Sequence, residues 1–111
     1  MAVYDKAYEL ASEIKKSKEY IEYKNLKEKV FANSELKSKI EEFEKIRYEA
    51  QLLSIQEGKE NPEKVAKLQE LYKILVENKD VKDFFDKEVQ FNVMLADINK
   101  IIAQAVKDVL A

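Results

Sequence analysis

The stretch DVKDFFDKEVQFNVMLADINKIIAQAVKDVL, residues 80–110, decides how this chain must fold. Phe84, Glu88, Phe91, Leu95, Ile98, Ile102, Ala105 and Val109 recur along it at alternating spacings of four and three. That spacing is a heptad seam with one charge in it, and no Gly or Pro interrupts the helix it predicts. At 1.5 Å per residue the helix would be roughly 45 Å long. Val81, Phe85, Val89 and Val93 form a second row beside the first, and Met94 and Ile101 widen the apolar surface. A helix that is apolar on more than one side must be covered on more than one side.

Working outward, the remaining chain reads as four shorter helices. Residues 3–16 carry a one-sided stripe of Val3, Ala7, Leu10, Ala11 and Ile14, bordered by Tyr4 and Tyr8. Ser17 is the residue to cap a new helix at a bend. Residues 18–31 place Tyr20, Tyr23 and Val30 on one face, an aromatic surface suited to the edge of a core, where the phenols reach solvent or a polar partner. Asn33 and Ser34 supply caps before the next run, 35–57, whose inner face is Leu36, Ile40, Phe43, Ile46, Ala50 and Leu53, widened by Leu52 and Ile55. Gly58 stands where a left-handed C-terminal residue is wanted, and Asn61-Pro62-Glu63 reads as cap, first and second helical positions. Residues 58–61 therefore join two antiparallel helices, the second running over 62–78 with Val65, Leu68, Leu71, Tyr72, Leu75 and Val76 inward. Asp80 is the expected cap of the terminal helix, with Asp83 favoured in its first turn. The expectation is an all-α single domain over 1–111: an elongated five-helix bundle with an αα-hairpin and a long C-terminal helix.

Composition excludes more than it assigns. The chain has no Cys and no His. Disulfides, thiolate metal sites, a nucleophilic thiol and the commonest general base are all absent. A net charge of −2 exerts no global pull on nucleic acid or an anionic membrane. No window is apolar for long enough to span a bilayer, and residues 1–6 lack the pattern of a secretory leader, so a cytoplasmic location is expected. The densest carboxylates, Glu41, Glu42, Glu44 and Glu49, lack the His that a di-iron bundle site requires and read as a solvated face, with Glu41 and Lys45 one turn apart. Glu88 either lies at an edge of the seam or meets a Lys or Tyr across an interface. Neither a catalytic set, a cofactor site nor a metal site can be written.

The strongest functional signal is the excess of apolar surface on the terminal helix. Phe91, Leu95, Ile98, Ile101, Ile102, Ala105 and Val109 are the candidate oligomer interface, with a two-fold dimer the simplest solution and higher oligomers open. Asn99 or Gln104 would then set register across the helix pair. A rival is single-stranded RNA on the Lys/Tyr face of residues 18–31. Glu19, Glu22 and Glu28 interleave with the lysines there, which favours a salt-bridged face and disfavours nucleic acid.

The pattern Ala7-x2-Leu10-x3-Ile14-x2-Ser17-x-Glu19-Tyr20-x2-Tyr23, with Leu36, Ile40, Phe43 and the late Asn99-Lys100-Ile101-Ile102, resembles the YlbF/YmcA family and is most similar to its YheA-type branch. The resemblance implies an all-α, oligomeric bacterial protein that regulates or adapts through an unidentified protein partner. It implies a link to RNA processing and developmental regulation. Relatives that hold iron–sulfur clusters do so through cysteines, so that cofactor does not carry over.

Overall fold

The structure, a computed structural model, describes residues 1–110. Its order is α1 (Ala2–Lys16), α2 (Lys18–Phe31), α3 (Ser34–Glu57), α4 (Pro62–Leu75), α5 (Lys79–Ala105) and α6 (Lys107–Leu110). Every element among the described residues is helical. The expected five helices become six because the terminal helix breaks at Val106. There the Val106 carbonyl accepts from the Val109 amide at 3.1 Å and from the Leu110 amide at 3.2 Å, and so opens the short α6.

The joints follow from single side chains. Ser17 is extended (φ −68, ψ 151); its hydroxyl donates to the Ile14 carbonyl at 2.6 Å and accepts from the Tyr20 amide at 3.2 Å, so it closes α1 and opens α2. Asn33 accepts from the Glu35 and Leu36 amides at 3.1 Å each. Gly58 takes φ +72 as the α3 C-cap, and Asn61 accepts from the Lys64 amide at 3.1 Å ahead of Pro62.

One joint differs from expectation. Asn78, not Asp80, caps α5: its side chain accepts from the Val81 amide at 3.2 Å. To do so Asn78 must leave helical geometry, which ends α4 at Leu75 instead of residue 78. Asp80 lies inside the first turn and pairs with Lys29 at 3.3 Å.

The helices form two compact units, Met1–Leu26 with Phe84–Ala111, and Lys27–Asp83. The second is built on the α3–α4 pair. Glu49 meets Lys64 at 3.0 Å and the Phe43 and Tyr72 rings lie 6.1 Å apart, so contacts descend one helix as they climb the other. Val30, Ile40, Phe43, Ile46, Leu75 and Val81 are its buried residues. The widening of the α3 face stays outside: Ile55, expected to extend the core, is 79% exposed.

Gly58→Ala tests the hairpin joint. An added Cβ meets nothing within 4 Å, so only the left-handed backbone resists it. The substitution lowers unfolding stability by about 1–2 kcal/mol. An unshifted urea midpoint would show that the turn does not require positive φ.

Candidate protein-interaction surface

In the first unit, an aromatic ladder holds α5 against α2. Tyr23 stacks on Phe84 with centroids 5.5 Å apart and tilts against Phe91 at 5.5 Å; Tyr20 meets Phe91 at 6.0 Å. Phe84 and Phe85 are buried and 5.6 Å apart. The acid in the seam is resolved here: the Tyr23 hydroxyl donates to Glu88 Oε2 at 3.2 Å. The phenol thus reaches the polar partner that its place at a core edge demands, and the carboxylate finds a donor inside the chain.

At the adjacent position on each helix, Lys87 Nζ sits 2.7 Å from Glu22 Oε2. The hydrogen bond from Lys87 holds the Glu22 carboxyl below the usual carboxylate range; partial burial opposes this, and the charges of Lys87 and Lys18 reinforce it. A depressed folded-state pKa stabilises above the unfolded value, and that contribution is lost as pH falls through the lowered value. Lys87→Met keeps the apolar stem and removes the charge. The variant is less stable than the native chain at neutral pH, and the gap closes on acidification. A gap independent of pH would assign the effect to packing alone.

Beyond Ile98 the cover ends. The sequence-derived interface residues divide accordingly. Phe91, Leu95 and Ile98 are half-buried, whereas Ile101, Ile102, Ala105 and Val109 are exposed, with Val109 on α6. Every residue of 99–110 is exposed. The second row divides too: Val81 and Phe85 are buried, Val89 and Val93 exposed. The first helix adds a surface that periodicity alone assigned inward. No residue of α1 is buried, and Val3, Tyr4, Tyr8 and Leu10 are all exposed. A stripe records which face needs cover, not what covers it.

Other concavities offer little chemistry. A cavity of about 400 Å³ between α3 and α4 is lined by Arg47, Gln51, Ser54, Glu60, Asn61 and apolar side chains. Among the described residues no group of Asp and Glu is placed to hold a metal ion, and no helix is long and apolar enough to cross a membrane.

Comparison with known proteins gives a consistent relationship over most of the chain. The family model described as "Control of competence regulator ComK, YlbF/YmcA" matches residues 3–107. A UPF0342 protein of Caldicellulosiruptor saccharolyticus is 38% identical over 104 residues, covering 94% of this chain and 87% of that protein. A UPF0342 protein of Halothermothrix orenii is 36% identical over 102 residues (92% and 86%), and one of Clostridium novyi 35% over 108 residues (97% and 95%). With the match running from α1 through the first residue of α6, and with relatives 35–38% identical aligned over most of both chains, the chain belongs to the YlbF/YmcA family.

Proposed function

We propose that the protein is a non-catalytic regulator or adaptor that works in the cytoplasm by binding other proteins. It self-associates, as a dimer or higher oligomer, through Phe91, Leu95, Ile98, Ile101, Ile102, Ala105 and Val109. The observation that carries this reading is an apolar helix end, residues 99–110, left wholly exposed by its own chain. Contiguous apolar surface of that kind marks association sites. The family's link to control of a competence regulator supports a regulatory output, with RNA processing or development as its setting by resemblance. Direct RNA binding is the weaker reading, because Tyr23 stacks on Phe84 and Tyr20 packs at a tilt against Phe91, so both rings are engaged within the chain.

Affinity capture of the intact chain from its native cell, read by mass spectrometry, tests the function. A regulatory protein recovered in near-stoichiometric amount is expected. Recovery of the chain alone, together with tight and steeply salt-dependent retardation of RNA on a gel, would replace the adaptor reading with the RNA one.

A further inference from the structure

We infer that the outer half of the α3–α4 hairpin docks a helix of a partner protein, one that carries an apolar row flanked at both ends by Lys or Arg. This rests on the adaptor reading above and deepens it, naming the surface and the chemistry of the partner. The surface lies wholly within the second compact unit.

The outer hairpin is a core left open on one side. From Arg47 to Ile74 no residue is buried. The inward rows of the two helices, Ala50, Leu53, Val65, Leu68 and Leu71, are only half-buried. Two helices alone leave a groove along their line of contact, and a third helix is what closes such a layer. That groove is the cavity of about 400 Å³, whose apolar lining is Ala50, Ile55, Val65 and Leu68.

Ile55 belongs to a second feature as well. Tyr48, Leu52 and Ile55 follow one another at spacings of four and three along the outer side of α3, and they are 62%, 40% and 79% exposed. Groove and ridge together make residues 47–55 an apolar tract about 12 Å long, just over two helical turns. Rows at spacings of three and four are the anchors of helix-in-groove recognition. A tract of this length and pattern suits a helix laid along α3 better than a compact small molecule.

Charge selects among helices. Residues 41–63 hold seven acids against three bases, while the rest of the chain holds fifteen acids against seventeen bases. Glu49 is matched by Lys64 at 3.0 Å and Glu41 by Lys37 at 3.9 Å. Arg47 is held over the Phe43 ring of its own helix, 5.5 Å from the centroid, and the other two bases, Lys45 and Lys59, leave the excess negative. Glu44 stands one turn before Tyr48 on the ridge, and Glu60 lines the groove at its far end, so acids bracket the apolar tract. The complement is an apolar row with a base at each end. A second copy placing hairpin against hairpin would meet its own sign.

Fluorescence anisotropy of labelled model peptides with the full chain tests this. Two helical peptides of about 18 residues share a Leu seam at heptad spacing and differ only in their flanks, Lys in one and Glu in the other. The Lys-flanked peptide should bind at least about tenfold more tightly at low salt, with the preference shrinking as salt is added. Glu44→Lys with Glu60→Lys should reverse the preference, and Ile55→Ser should weaken both peptides without reversing it. Glu60 and Ile55 are exposed and Glu44 is half-buried, so these variants keep the fold. On binding, amide resonances over residues 44–68 should shift. Equal binding of the two peptides, no binding of either, a preference unmoved by charge reversal, or shifts centred outside the hairpin overturns the inference. A fall in self-associated mass in the charge-reversed chain also overturns it, by making the hairpin a contact between copies. A regulatory protein captured from the cell equally well by native and charge-reversed chains leaves the adaptor reading standing and moves its site elsewhere. Capture of no partner, with the Lys-flanked peptide bound as expected, sinks the adaptor reading while the docking surface stands.

Discussion

Ile98→Asp with Ile102→Asp leaves the protein monomeric at concentrations where the native chain self-associates. Ile98 is half-buried and Ile102 is 52% exposed, so neither acid is forced into a closed core of the single chain. In a self-associated form both positions sit in the seam, one turn apart, and two carboxylates from each copy would have to shed water there without a paired cation. A buried unpaired charge costs several kcal/mol, so the dissociation constant should rise by at least about a thousandfold, equivalent to ~4 kcal/mol. The helices remain, because the substitutions leave the Phe84–Tyr23–Phe91 ladder and all the capping residues untouched. Light scattering on the two proteins decides it. An identical hydrodynamic mass would mean that the end of α5 is not the interface.

Phe84→Ala has the largest effect on folding. Phe84 is 1% exposed, stacked on Tyr23 and in contact with Phe85. Truncating a buried Phe costs about 3–5 kcal/mol, from lost transfer energy and the cavity that remains. Loss of the ring pairing with Tyr23 belongs to the same change and adds about 0.5–1.5 kcal/mol where neighbours cannot relax. Against a total stability of about 5–15 kcal/mol for a domain, this takes a large share. Equilibrium unfolding in urea should show a much earlier midpoint, with Tyr fluorescence reporting release of the ladder. A midpoint displaced by less than about 1 kcal/mol would show that Phe84 is replaceable and that other contacts hold α5 to α2.

Much of this architecture was legible in the residues because local chemistry decides it. Ser17, Asn33, Gly58 and Asn61 each act on backbone groups within four positions of themselves, and each does in the structure what its residue type predicts. Asn78 and Asp80 defeated the same reasoning. Both are good caps two residues apart, and Asp80 is drawn instead to Lys29, far away in sequence. The break at Val106 had no local signal, since no Gly or Pro marks it. The exposed apolar surface was legible in part: the seam named the α5 residues, while the bare stripe of α1 emerged only once each residue's cover was known.

The residues by themselves determined the helical class, three of the joints, and which face of each helix is apolar, because periodicity and capping are properties of neighbours in sequence. Tertiary structure alone decided how deep each face goes. Phe85 and Val93 share a row on α5, yet one is 6% and the other 54% exposed, and Glu88 is tolerated in the seam because Tyr23 arrives from α2 to donate to it. Burial and hydrogen-bond satisfaction depend on what another part of the chain brings across the gap, and no repeat along a single helix records that.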